Sequence, residues 1–294
     1  MFFRLGFMTL LLTQLVVAQS ENQARRRPEI CSNIAQMEGS SSSASAATQD
    51  TNKKADQEEN SSDLSDLPPL HIPSLEVHAA SPEGFVPKGW LLEEKNEGDL
   101  NGDGARDFVL VLHQNDSKNV IKNQNGLGAD EFDSNPRILA IVFADKKAGG
   151  YTLIADNHDL VPRLDSPTLD DPFESLEIRK GTVRVGLRSW ASAGSWLAGN
   201  YSYTFRYQNG CMGLIGYDSY DYNRGSLEYT KVSVDYLTKK GQIAKGIDDG
   251  NGKDKIPQRV KRVTLPTNSS MPCFQQVGDG FAFQPPIPKD ETEP

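Results

Sequence analysis

Tyr201-Ser202-Tyr203-Thr204-Phe205-Arg206-Tyr207-Gln208, then Asn209-Gly210, then Cys211-Met212-Gly213-Leu214-Ile215-Gly216-Tyr217 is the stretch whose reading decides the fold. Asn-Gly between two alternating runs is the strongest short hairpin signal, because both turn residues tolerate positive φ. A two-residue loop also sets the register, with Gln208 opposite Cys211, Tyr207 opposite Met212, Phe205 opposite Leu214 and Tyr203 opposite Gly216. One face then carries Tyr201, Tyr203, Phe205, Tyr207, Met212 and Leu214 and is the expected core side. Thr204, Arg206, Cys211 and Ile215 take the other.

The same pattern continues outward. Residues 176–178 and 183–187 flank a Lys180-Gly181 turn, residues 138–143 and 151–154 flank a turn at 146–150, and residues 229–237 read as a final strand. Residues 108–112, Phe-Val-Leu-Val-Leu, are apolar on both faces, as expected of a central strand covered on both sides. Before them, Pro73, Pro82 and Pro87 favour extended chain. The expectation is a mainly β domain over residues 70–238, an antiparallel meander of about eight to ten strands, propeller-like or a sandwich. Residues 239–294 read as a mostly irregular tail with one short strand at 260–265.

At the other end, residues 1–18 carry one charge, Arg4, an apolar run over 5–17 and small residues at Val16-Val17-Ala18, the pattern of a cleaved secretory signal. The run is short for a membrane span and no other run approaches one, so no span is expected after cleavage and the location is periplasmic or secreted. Residues 19–69 read as a disordered segment and linker, since 39–69 is rich in Ser, Ala, Asn and charge and cannot bury enough surface to offset its ordering entropy. The formal charge is −9. An acidic balance argues against nucleic acid as a partner, because phosphate binding needs a basic face. Cys31, Cys211 and Cys273 leave an odd thiol in an oxidising compartment; Cys31–Cys273, joining the two tails, is one of three pairings.

Between the approach strand and residues 108–112 lies Asp99-Leu100-Asn101-Gly102-Asp103-Gly104-Ala105-Arg106-Asp107. Oxygen-bearing side chains at relative positions one, three, five and nine, with Gly at six, suit a loop that wraps a hard dication such as calcium. Three carboxylates in nine residues repel one another, and a bound cation relieves that repulsion. Position twelve is Leu110 within a strand, not the bidentate Glu of a helix-flanked loop, so the setting is strand-loop-strand. Residues 248–254 carry Asp and Gly at spacings that fit less well.

This Asp-x-Asn-x-Asp-Gly-x-x-Asp loop resembles the calcium loops of FG-GAP and VCBS-type repeats, as in integrin α subunits. With Tyr203-Thr204-Phe205-Arg206-Tyr207, Leu214-Ile215-Gly216-Tyr217-Asp218 and residues 232–238, the chain resembles uncharacterised bacterial secreted proteins bearing that repeat name. The resemblance covers about residues 90–238. It implies Asp99, Asn101, Asp103 and Asp107 as side-chain ligands and the Ala105 carbonyl as a fifth. The loop occurs once, without the Phe-Gly and Gly-Ala-Pro signatures of a full repeat, so a closed propeller is not implied.

No catalytic signature is present: His71, His78, His113 and His158 lack partners at triad or ligand spacing. Among the aromatics, Trp196, Tyr220 and Tyr222 lie in loop-like text and are candidate contacts for a protein or glycan partner. The reading is an exported calcium-binding β-domain protein of the bacterial envelope that binds or interacts without turnover. The alternative is a hydrolase of envelope glycans or peptides, which requires paired carboxylates facing one cleft.

Overall fold

A computed structural model describes residues 67–124, 126–248 and 259–288. The expected signal sequence, Cys31, most of the expected linker and residues 249–258 lie outside the described residues. In chain order the strands are β1 (His78–Ala79), β2 (Trp90–Gly98), β3 (Asp107–Gln114), β4 (Val120–Lys122), β5 (Glu131–Asp133), β6 (Arg137–Ala144) and β7 (Tyr151–Asn157). They continue with β8 (Phe173–Arg179), β9 (Thr182–Ser189), β10 (Leu197–Gln208), β11 (Cys211–Asn223), β12 (Glu228–Asp235), β13 (Lys240–Ile247) and β14 (Arg259–Thr264). One antiparallel sheet runs β1-β7-β6-β3-β2, a second runs in strict sequence order from β8 to β14, and β4-β5 is a separate ribbon.

The two sheets face each other as a sandwich. Val109 and Val111 on β3 and Leu139, Ile141 and Phe143 on β6 point into a core shared with Val183, Val185, Leu187, Tyr203, Phe205 and Leu214 of the second sheet. The alternate residues, Phe108, Leu110 and Leu112 with Ile138, Ala140 and Val142, point the other way and are covered by Leu75, Phe85 and Trp90 from the chain ahead of β3. That double coverage is why β3 and β6 are apolar at nearly every position instead of alternating. Each valine, leucine, isoleucine or phenylalanine side chain among them, taken fully out of water, contributes about 1.5–3 kcal/mol.

The hairpin forms as expected around Asn209 (φ 53°) and Gly210 (φ 76°). Its register follows the expectation from Gln208–Cys211 to Phe205–Leu214 and then departs from it: Tyr203 pairs with Tyr217, not Gly216. Ile215 is an extra residue on β11, and its carbonyl is used by the Tyr236 N–H at 3.0 Å. The bulge buries Leu214 and Ile215 together and turns Tyr217 into the core beside Tyr203, ring centroids 5.2 Å apart.

The second correction concerns the C-terminal fifth of the chain, residues 239–294. The strand-rich region does not end at residue 238, because β13 pairs along β12 and β14 along β13. Gly241 and Gly246 and the scattered lysines hide the alternation of β13, which a neighbouring strand nonetheless accepts. Residues 265–288 are irregular, as read, yet they fill the sandwich. Phe274 is fully buried against Phe205 (4.9 Å), Phe283 packs on Tyr203 and Tyr217, and the Asn157 side chain donates to the carbonyls of Phe274 (2.6 Å) and Val277 (2.7 Å). Cys273 is bonded to Cys211, not to Cys31, fixing this strap to the start of β11.

That bridge spans 62 residues. Reducing it, or replacing Cys273→Ser, should lower the unfolding free energy in urea by about 2–4 kcal/mol, chiefly by enlarging the unfolded ensemble. An unchanged denaturation midpoint would show that the strap holds without its covalent link.

Candidate functional site

The acidic loop joins β2 to β3 and curls around its own side-chain oxygens. Asp99 accepts the N–H groups of Gly102 (2.7 Å) and Asp103 (3.1 Å) on Oδ1 and that of Gly104 (2.9 Å) on Oδ2. Asn101 Oδ1 accepts from Asp103 at 2.9 Å, and Asp103 Oδ1 from Ala105 at 2.6 Å. Gly102 and Gly104 sit at φ 79° and 78°, where a side chain would strain the turn. Asp107, with no exposed surface, anchors the base: Oδ2 accepts the Leu100 N–H (2.9 Å) and Oδ1 that of Ala144 (3.0 Å), tying the loop to the end of β6.

These surroundings split the carboxyls. Burial pushes Asp107 above the ordinary carboxylate range in spite of its two N–H donors, with the charge of Asp103 adding to the effect. Asp103 is held below that range by the Ala105 N–H and by Lys146. The Lys146 ammonium lies 3.3 Å from Asp103 Oδ1 and donates to the Asp103 carbonyl, so a positive charge already rests against the loop. Asp99, Asn101, Asp103 and Ala105 line one turn, while Asp107 is drawn beneath it. Among the described residues, no three His, Cys, Asp or Glu side chains are gathered at metal-holding distance. The donor chemistry fits calcium nonetheless: carboxylate, amide and peptide oxygens are the hard ligands it prefers, and Asp99 Oδ2, Asn101 Oδ1 and Asp103 Oδ1 each accept a single backbone N–H and keep a second lone pair, which Asp99 Oδ1, with two N–H donors, does not.

A second polar centre escaped the sequence reading. The guanidinium of Arg137, 8 % exposed, is gripped by Glu93 (2.6 and 2.8 Å) and Asp171 (2.8 and 2.7 Å) and lies over the Phe173 ring. Burial opposes the charge on Arg137, but the two carboxylates more than compensate and its pKa rises. His113, beside Arg137 across β3 and β6, stands 3.9 Å from both Glu93 and Asp133. Since Glu93 lies on β2 and Asp171 just before β8, this cluster clamps one sheet to the other. The partners are 44 and 34 residues from Arg137, so no local spacing announces them.

Tyr220 and Tyr222 are not in a loop. Both lie on β11, stacked with centroids 5.7 Å apart, and Tyr229 stands 5.5 Å from Tyr220. Trp196 is the exposed residue of the three, 68 % open, on the turn before β10. That turn is held from β11's end by Arg224, which stacks on Trp190 (4.1 Å) and donates to the carbonyls of Ala191 (2.6 Å) and Ser195 (2.5 Å). Nearby, a cleft of about 380 Å³ is lined by Asp165, Asp279, Arg163, Trp190 and Phe281. Burial, reinforced by Asp279, pushes the Asp165 carboxyl up.

Compared with family models, curated proteins and solved structures, the chain matches none.

Replacing Arg137→Met should cost about 1–3 kcal/mol in a urea titration, because it leaves Glu93 and Asp171, both partly open to water, facing each other without their cation. Restoring neutrality with Glu93→Gln and Asp171→Asn in the same chain should recover part of that loss.

Proposed function

We propose that this chain is an exported protein of the bacterial envelope, periplasmic or secreted, that takes up calcium in the 99–107 loop and acts by binding a partner without turnover. The observation that supports this is the loop's own shape. The backbone N–H groups of residues 102–105 hold the side-chain oxygens of Asp99, Asn101 and Asp103 around one turn, with Asp107 fixed below. Calcium would be held by those oxygens and the Ala105 carbonyl, and its charge would relieve the repulsion between Asp103 and Asp107. Uptake requires Lys146 to release Asp103, so the lysine acts as an internal competitor. The role is structural: the loop joins β2 to β3, and β3 is packed on both faces.

Extracellular calcium modules bind with Kd of about 10⁻⁴–10⁻³ M. Calcium at one hundred times Kd would stabilise the fold by about 2.7 kcal/mol, a rise of roughly 5–10 °C in melting temperature for a domain of this size. Thermal unfolding in EDTA and in excess calcium should show that rise, Asp103→Ala should abolish it, and Lys146→Ala should reach it at lower calcium. Equal midpoints for the unaltered chain in both buffers would remove calcium from the account.

The hydrolase reading keeps one observation in its favour, the pair Asp165 and Asp279 in the cleft beside Trp190. Asp165, with its raised pKa, would be the acid and Asp279 the base. It requires release of reducing ends or amines from envelope glycan or peptide that Asp165→Asn abolishes; no release from either polymer rejects it.

A further inference from the structure

The outward face of the second sheet carries a trough that the sequence reading did not find. Val185, Leu187 and Tyr203 point into the core, so their neighbours Arg184, Gly186 and Ser202 point out. Gly186, Ser202, Asp218 and Ser233 stand in one row across four strands, short side chains bordered on one side by the longer row Arg188, Asn200, Tyr220 and Lys231. The result is a depression of about 320 Å³.

Its β8 wall is specifically shaped. Glu174 is the extra residue of a β-bulge, unpaired between Phe173 and Ser175, and such bulges re-aim side chains. Gly186 opposite is required for space: a Cβ there would stand 2.4 Å from Ser175 Oγ and 3.5 Å from Glu174 Oε2. The bulge and the glycine together let Glu174 lean over β9 to meet the Asn200 amide at 3.3 Å. Across the trough, Arg184 Nε donates to Ser202 Oγ at 2.5 Å, and Tyr220, stacked on Tyr222, bonds through its hydroxyl to Asp248 at 3.0 Å.

We propose that this trough binds a neutral oligosaccharide. The proposal rests on the reading of the chain as a non-catalytic binding protein and is independent of the calcium loop. Sugar hydroxyls both donate and accept. The lining offers carboxylate acceptors in Glu174, Glu177 and Asp218, donors in Asn200, Arg184 and Lys231, and a tyrosine ring for the apolar face of a pyranose. No aliphatic side chain lines it, which disfavours a peptide's apolar anchors, and three carboxylates repel a polyanion. The volume sits at the low end of the roughly 300–1,000 Å³ of small-molecule sites, suited to a short stretch of chain.

The test is a panel of cello-, xylo-, malto- and chito-oligosaccharides, with oligogalacturonate as the anionic control, titrated calorimetrically into the chain lacking residues 1–18. Binding to a neutral oligosaccharide is expected, weakened about ten-fold or more by Asp218→Asn and by Glu177→Gln at unchanged melting temperature. Gly186→Val should abolish it by filling the floor. No neutral binding, neutral binding indifferent to both conservative variants, or binding of oligogalacturonate alone that Lys231→Ala removes would each overturn the proposal. A melting temperature indifferent to calcium would remove the calcium reading and leave this one standing.

Discussion

Burial of β3 and β6 on both faces is the constraint on which the rest of this structure depends. One face of the pair closes the sandwich against β9 to β11, and the other needs a cover of its own, which the chain supplies from Leu75, Phe85 and Trp90. Their ends then fix the polar features. Asp107 opens β3 and holds the acidic loop, while Arg137 opens β6 and clamps Glu93 to Asp171. A shift of β3 by one residue would exchange its two apolar faces and carry Asp107 off its two N–H donors. The loop and the clamp are therefore positioned by apolar packing, whatever each binds.

The second sheet follows a different rule. It is two strands wider than the first, so the first sheet cannot cover all of its inner face. The strap of residues 265–288 supplies the missing apolar surface with Phe274, Val277 and Phe283. On its outer face the row Gly186, Ser202, Asp218 and Ser233 is short, which leaves room for the trough between the longer side chains.

What the sequence made legible follows from how local each signal is. Asn209-Gly210 with alternating neighbours announced its hairpin, and the unbroken apolar run at 108–112 announced a strand covered twice, because both depend on adjacent residues. The bulge at Ile215 was hidden, since a single inserted residue leaves the alternation intact on either side. β13 was hidden by its glycines and lysines, and the strap by its prolines, because their order comes from long-range partners. The acidic loop could be read as a loop from its spacing, and its Asp and Asn side chains do fold it. The charge of Lys146, 43 residues away from Asp103, could not be read from it. The Arg137 clamp and the trough assemble from separate strands and left no motif.

The bond between Cys211 and Cys273 encloses β11 to β14 and the start of the strap in one covalent ring. A protease that cuts the backbone anywhere inside that ring opens it without releasing a fragment. Phe274 and Val277 stay tethered beside the core they fill, and re-docking after a transient opening remains an event within one molecule. For such a chain, survival among proteases is governed less by whether a cut occurs than by how fast the nicked form closes again.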